Sequence, residues 1–400
     1  MGWQKLLQLD VQQFIKNHEC DDVRSLALKT PPDPSWPYSL ILDQIKVRQK
    51  ARLKSLELYE THGIIFPIND VYEQASSSAC AAYKASLVNG ERFVDLTAGS
   101  GADAYAFAKR FKSGVLVERD EACAALLEHN VDVLDKVYKA AGELTVHHGD
   151  AAAYVQGMSD VDFAFIDPQR REGGRKGIYD LSACSPDIIS LLPVLKSKAQ
   201  RVIVKTSPVL DIEKAIVSLG SVTQVHVVQW QGECKEVLYN LNFSSSVKNE
   251  DVEIVAVDID SSGKVQQRFS YKISDEKNAA LDYAMPKKYI YEPGPAFQKS
   301  GGFKSMALAF SVQKLHQHSH LYTSDDICMN FPGKRYEVVD VVSVKAKGLG
   351  VKKADLTLRN FPGTVQMLRK KLKLSDGGCH RIFATTLCDE TKKLIICNKL

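Results

Sequence analysis

The chain has 400 residues, 44% of them apolar and 25% charged, the balance of a globular protein of about two to four domains. No apolar run nears the roughly 20 residues of a membrane span, and Met1 to Asp10 shows no basic segment leading into an apolar core, so the protein is expected to be cytoplasmic. The formal charge is +4, and the nine cysteines are odd in number, scattered and never in Cys-x-x-Cys order, which argues against a disulfide framework or a zinc site.

Residues 1–62 read as an N-terminal helical region. Leu6, Leu7, Val11 and Phe14, then Leu40, Ile41, Ile45, Leu53 and Leu56, recur at helical spacing on either side of a break between Pro31 and Pro37. The character changes at Gly63. Ser76, Ser77 and Ser78 precede an Ala-rich helix over 79–87 and suit either its cap or a ligand contact.

The run Phe93-Val-Asp-Leu-Thr-Ala-Gly-Ser-Gly-Ala-Asp103 then spells strand, Gly-rich turn and helix (102–111). Gly99 and Gly101 lack the Cβ atoms that would keep a ligand from the backbone, and the helix start offers unpaired N–H groups; the same pattern also closes ordinary βα turns. A strand over 114–118 ends in Glu118, about 20 residues past the Gly turn, where a doubly wound fold grips ribose hydroxyls. A helix (122–134) and a strand (144–148) lead to Asp150, which can reach an adenine amine. For Glu118 and Asp150 the alternative is a cap on the next helix.

The strand at 161–166 is nearly all apolar, as one buried on both faces should be, and runs into Asp167-Pro168-Gln169-Arg170-Arg171 and a Gly-rich basic loop. A helix (185–196) and a strand (201–204) end in Lys205-Thr-Ser-Pro208, followed by a helix (212–219) and strands at 222–229 and 237–243. Alternating βα units with acids at successive strand tips predict an α/β, Rossmann-like parallel sheet over 63–245, its carboxyl edge carrying the site.

Residues 246–329 read as a small α+β, ferredoxin-like module that opens with strands at 252–259 and 265–273 around an Asp260-Ser-Ser-Gly263 turn. His316, His318 and His320 would share one face of a strand, but with no Cys or acid at ligand spacing no metal is expected. From 330 to 400 the order is strand (336–344), strand (354–361), helix (364–374) and strands at 381–387 and 394–397. Asn-Phe-Pro-Gly occurs at 330–333 and 360–363, read as two turns of one type. In the helix, Val365, Leu368 and Leu372 should face inward and Arg369, Lys370, Lys371 and Lys373 outward. Between Lys334 and Leu374 eleven Lys or Arg stand against three acids, a balance of +8. That asymmetry invites an RNA backbone, or is no more than a solvated face.

Asp95-x-Thr97-x-Gly99-x-Gly101, followed by Glu118, Asp150 and Asp167-Pro168, resembles a class I S-adenosylmethionine-dependent methyltransferase over residues 63–245. A redox Rossmann domain would have a third glycine where Ala104 stands. Tyr72-Glu-Gln-Ala-Ser-Ser-Ser, Val94-Asp-Leu-Thr-Ala-Gly, Val204-Lys-Thr-Ser-Pro and Tyr291-Glu-Pro, with the basic C-terminus (330–400), resemble bacterial methyltransferases that carry a THUMP-like domain and act on RNA. The resemblance implies that Asp95, Thr97, Ala98, Gly99 and Gly101 line the methionine end of S-adenosylmethionine. It further implies that Glu118 and Arg119 lie at the ribose, Asp150 and Ala151 at the adenine, and Asp167 beside the methyl group.

Asp167-Pro168-Gln169-Arg170 is similar to the Asp-Pro-Pro-Tyr motif with which amino methyltransferases hold a flipped base, but departs from it where the second proline and the stacking aromatic should stand. Arg170, with Arg171, Arg175 and Lys176, would make a substrate clamp, unless an arginine pairs internally with Glu118 or Asp180. Thr206-Ser207-Pro208 stands where 5-methyluridine methyltransferases have Cys-Asn-Pro, and a serine is too poor a nucleophile for carbon-5 chemistry. Direct transfer to nitrogen or oxygen remains, with Asp167 orienting the nucleophile and Lys205 positioning substrate or serving as a structural partner of Asp167 or Glu73. The expected function is RNA methylation, with Lys370 and Lys371 on the RNA. A non-catalytic RNA-binding protein and a small-molecule or protein methyltransferase are the alternatives.

Overall fold

The computed structural model describes residues 2–138, 143–170, 181–346 and 349–400. They fall into two compact units: Met1–Thr223 with Glu236–Val247 and Ile259–Gln266, and Gln224–Lys235 with Lys248–Asp258 and Gln267–Leu400.

In the first unit, β1 (Arg92–Asp95), β2 (Ser113–Glu118), β3 (Glu143–His148), β4 (Val161–Ile166), β5 (Ala199–Thr206) and β6 (Glu233–Asn242, in this unit from Glu236) lie in the order β3-β2-β1-β4-β5-β6. All neighbours are parallel except β5 and β6. The order reverses beside β1, which puts the crevice outside its carboxyl end. Helices α1 (Ser78–Ser86), α2 (Ala102–Ala108), α3 (Glu121–Tyr138), α4 (Ala151–Gly157), α5 (Ile188–Lys198) and α6 (Ile212–Leu219) connect or flank these strands. Phe107 of α2 sets its ring against Phe93, Phe163 and Phe165 at centroid distances of 5.8, 5.0 and 5.2 Å. Each such buried ring contributes roughly 1.5–3 kcal/mol, which fixes α2, and the Gly turn before it, on the sheet. This is the Rossmann-like architecture that the βα alternation predicts.

The N-terminal helices share a core with this unit: Leu6, Val11, Ile15, Leu26, Ile41 and Ile45 pack with Ile65 and with Leu126 of α3. Leu7, Leu53 and Leu56 do not join it and are exposed; for Leu53 and Leu56 the reason is that the helix carrying Leu53 ends at Lys54 and the chain turns there.

In the second unit, Ala256, Phe269, Tyr291, Phe297, Met306, Tyr322 and Phe331 form one core. Short helices at Pro295–Ser300 and Phe303–Ala309 lie between its first strands. A seven-stranded sheet comprises β7 (Tyr289–Pro293), β8 (Gln313–Lys314), β9 (Tyr322–Ser324), β10 (Gly333–Ser343), β11 (Asp355–Arg359), β12 (His380–Thr386) and β13 (Lys392–Lys399), in the order β8-β9-β7-β10-β13-β12-β11. β11 and β12 are parallel and joined through α7 (Val365–Leu372).

The sheet is strongly curled. Glu292 on β7 bonds Arg359 on β11, four strands away, a gap of about 19 Å in a flat sheet at 4.8 Å per strand. One face packs Leu356, Ile382, Ala384 and Leu394 under Leu368 and Leu372 of α7; the other holds Ile290, Leu315, Leu321, Tyr336, Phe383 and Ile395. Two expectations for α7 fail. Val365 is 37% exposed, and Arg369 turns inward to Asp376 and the Ala354 carbonyl. A helix of eight residues covers its sheet with two leucines, and its arginine reaches the loop beneath. Among the described residues no helix is long and apolar enough to cross a membrane.

Candidate active site

Asp95 ends β1 and is 1% exposed. Its Oδ1 accepts the Thr97 N–H at 3.0 Å, while the Thr97 hydroxyl accepts the Asp167 N–H at 2.8 Å, so one threonine ties the tips of β1 and β4 together. The turn that follows is held by Leu96 N–H to Phe165 O (2.9 Å) and Ala98 N–H to Val117 O (3.0 Å). Gly99 and Gly101 both have positive φ, +52° and +80°. At Gly101 space also decides: a Cβ would stand 2.5 Å from the Tyr105 ring and 2.7 Å from Leu127. Gly99 donates its N–H to Glu118 Oε2 at 2.9 Å, and the other Glu118 oxygen takes the Asp120 N–H at 2.8 Å.

Registers along the sheet explain the charge pattern. Asp95 lies opposite Phe165, Ile166 opposite Val204, and Lys205 opposite Leu238. Side chains alternate along a strand, so Asp95, Asp167, Lys205 and Glu236 share one face at the carboxyl edge of β1, β4, β5 and β6. Lys205 Nζ bonds Asp167 Oδ2 directly. Burial alone would depress the Lys205 ammonium, but the charges of Asp167, Asp103 and Glu236 outweigh it and raise its pKa.

A second lysine closes the cluster. Lys84 of α1 is wholly buried, with Nζ 2.8 and 2.7 Å from the two Glu236 oxygens, 3.1 Å from Asp103 Oδ1 and 3.0 Å from Ser76 Oγ. The Ser76 hydroxyl donates in turn to Asp103 Oδ2 at 2.8 Å. Burial pulls Lys84 down, and Asp103 and Glu236 more than compensate. Five carboxyl groups (Asp95, Asp103, Glu118, Asp167, Glu236) therefore face two ammonium groups. Burial first, then Asp103, Asp167 and Glu118, against the single opposing Thr97 N–H, push the Asp95 carboxyl up to about 8.

Lys84 and Glu236 escape a reading by motif, whereas Ser76 and Asp103 lie within the runs at 72–78 and 93–103. The one available signal is a lone charge at position 84 in a helix otherwise built of Ala, Cys, Tyr and Ser. Ser77, not Ser76, caps that helix by accepting the Cys80 N–H at 3.2 Å. Lys205 pairs with Asp167 and not with Glu73, whose partner is Lys50.

Ala98 is buried within the turn and Ala151 within α4. Asp150 Oδ1 caps α4, taking the Ala152 and Ala153 N–H groups at 2.8 and 3.2 Å. Arg119 extends to Ser185 Oγ at 2.9 Å. Gln169 pairs through its backbone with Ser185, and Arg170 with Cys184, so the segment after Asp167-Pro168 is one side of a two-residue antiparallel ladder. Gln169 is exposed and Pro168 half-buried. Arg171, Arg175 and Lys176 lie outside the described residues. Lys370 and Lys371 are exposed on α7, in the other unit.

Residues 50–178 match the family described as conserved hypothetical protein 95, which is class I methyltransferase-like, residues 289–332 a ferredoxin-like domain and residues 333–399 a THUMP domain-like family. No curated protein matches the chain. The crystal structure of a candidate methyltransferase from Porphyromonas gingivalis W83 is similar over 98% of both chains, with a TM-score of 0.87 and 27% identity. A candidate RNA methyltransferase from Pyrococcus horikoshii aligns at 18% identity over 48% of this chain and 98% of its own, with a TM-score of 0.31. TrmK of M. capricolum in complex with S-adenosyl-homocysteine aligns at 11% identity over 45% of this chain and 74% of its own, with a TM-score of 0.32. The last two likenesses are too distant to carry an argument.

Proposed function

From a chain that is a class I methyltransferase-like enzyme continued by ferredoxin-like and THUMP-like domains, we propose that the methyl donor is S-adenosylmethionine and the acceptor a nitrogen or oxygen of a structured RNA. The observation that carries the donor is the deficit of positive charge around Asp95. A carboxyl pushed up to about 8 by burial and three neighbouring acids gains most from a cationic ligand, and S-adenosylmethionine brings an ammonium and a sulfonium. When bound, that cofactor supplies an electrophilic methyl group.

The chain's own residues bind, orient and hold. Asp95 and Thr97 receive the amino-acid end, and the turn at Ala98, Gly99 and Gly101 lets a ligand approach the backbone. Glu118 and Arg119 serve the ribose edge. Asp150, through the oxygen not spent on the helix cap, and Ala151 serve the base. Asp167, anchored by Lys205 at Oδ2 and by Thr97 at its N–H, offers its other oxygen to the proton of the nucleophile and so orients the lone pair. Pro168 stiffens the turn after it, and Gln169 and Arg170 meet the substrate where other amino methyltransferases place an aromatic.

The RNA reading is supported by the THUMP-like match at 333–399 and by the +8 balance within it. Calorimetry with S-adenosylmethionine tests the donor: binding at sub-millimolar concentration that Asp95→Ala abolishes is expected, and no binding by the wild type ends this reading. Mass spectrometry of nucleosides from RNA of a deletion strain tests the acceptor; a modified nucleoside should disappear, and an unchanged profile would favour a small-molecule or protein substrate.

A further inference from the structure

The Tyr291-Glu292-Pro293 run and the second Asn-Phe-Pro-Gly turn have no place in the methyl-transfer site, and the second unit shows what they build. Glu292 is 6% exposed, on the concave face of the curled sheet. Its Oε1 accepts Arg359 Nη2 at 2.9 Å, and its Oε2 accepts Arg381 Nη2 at 3.4 Å and the Tyr336 hydroxyl at 3.2 Å. Arg359 is the last residue of β11. The turn that follows starts at Asn360, whose φ of +51° reverses the chain, whose Nδ2 meets His316 Nδ1 at 2.9 Å and whose carbonyl takes the Thr386 hydroxyl at 2.6 Å. Arg381 lies over the Phe383 ring at 5.5 Å. Both arginines are thus fixed in direction at each end.

Two guanidiniums on one carboxylate leave an excess positive charge in a half-buried place. Glu292 engages only Nη2 of each, and the side chains remain 28% and 20% exposed. The next acid on this face, Asp355, is taken by Lys399 at 2.6 Å. Lys334, opposite Glu292 in the ladder, is exposed and adds a further charge on the same face. Planar donors held in a fixed direction beside low-dielectric protein suit a phosphodiester, whose two free oxygens match two forks.

We propose that Arg359 and Arg381, splayed from Glu292, form a clamp for one or two backbone phosphates of a nucleic acid. Exposed Lys334 carries the charge beyond the arginine pair on the same face, which fits a polymer better than a free phosphate ester. The inference rests on the RNA reading above and gives it a surface other than Lys370 and Lys371.

The test is fluorescence anisotropy of a labelled tRNA transcript with the full chain, across a salt series. Arg359→Lys/Arg381→Lys keeps both charges beside Glu292 and loses the forks, so at least a tenfold weaker affinity with an unchanged salt slope is expected. The triple variant Glu292→Gln/Arg359→Gln/Arg381→Gln leaves no buried charge unpaired, and it should lower the slope of log K against log salt by about 0.9 for each phosphate the clamp holds. A wild-type chain that binds no tRNA overturns the RNA reading itself. A wild type that binds, with both folded variants indistinguishable from it, overturns the clamp alone.

Discussion

Asp95 shows how one residue links binding to stability. Its folded value of about 8 stands far above the ordinary 3.8, so between these pH values the folded protein holds a proton that the unfolded chain has released. Stability therefore falls as pH rises through this window, by an amount on the order of several kcal/mol once pH exceeds about 8. Asp95→Asn removes the titration. In thermal melts the variant should exceed the wild type at pH 8 to 9 and converge with it near pH 4, while losing affinity for S-adenosylmethionine. A variant that melts lower than wild type at every pH would show that Asp95 is ionised and paired in the folded state. Lys205 sets the second prediction at this scale. Lys205→Met frees Asp167 to rotate without touching the Gly turn, so turnover should drop at least a hundredfold with cofactor affinity within threefold of wild type, as single-turnover and binding measurements would read.

At the scale of elements, the three pieces around the site are fastened by Lys84. It joins α1 to α2 through Asp103 and to β6 through Glu236. Lys84→Met strands two buried carboxylates and should cost about 3–5 kcal/mol in urea unfolding, as removal of one partner from a buried ion pair does. Adding Asp103→Asn and Glu236→Gln should recover a large part of that loss; no recovery would mean that the lysine acts by packing alone. Ser77→Ala, which removes only the α1 cap, should cost roughly 1 kcal/mol. The strands of the sheet were legible in the sequence because their apolar runs are bounded by Gly or acids, β4 to the residue. The gathering of Asp95, Thr97, Glu118 and Asp167 was legible for the same reason, since strand tips in a parallel sheet must meet at one edge. Lys84 with Glu236 was not, because the pair is separated by 152 positions and neither residue lies in a motif. The helices at Pro295–Ser300 and Phe303–Ala309 were missed because each has fewer than two full turns. Pro295 after Gly294 and the left-handed Gly301 at its end mark the first of them. Val365 was misplaced by counting helical period across a boundary where the first turn overhangs its sheet.

Over the whole molecule, the formal charge of +4 conceals +8 between Lys334 and Leu374, which leaves −4 for the remainder. The carboxylates of the proposed methyl-transfer site belong to the first unit and the basic stretch to the second, so cofactor and polyanion should depend on salt in different ways. Binding of a compact ligand among buried acids displaces few counterions. RNA bound through lysines releases one cation per phosphate neutralised, and its log affinity falls by about 0.9 per contact for each tenfold rise in salt on a duplex. Lys370 and Lys371 are exposed on α7, and neither side chain has an ion-pair partner among the described residues, so Lys370→Ala/Lys371→Ala should leave the melting temperature within experimental error. If both touch phosphate, the salt slope for tRNA should become shallower by about 2, and affinity at low salt should fall several-fold. Calorimetric binding of S-adenosylmethionine should be unchanged by the same pair of substitutions. An unaltered slope would place the RNA away from α7 and leave the concave face around Glu292 as the nucleic-acid surface of the second unit.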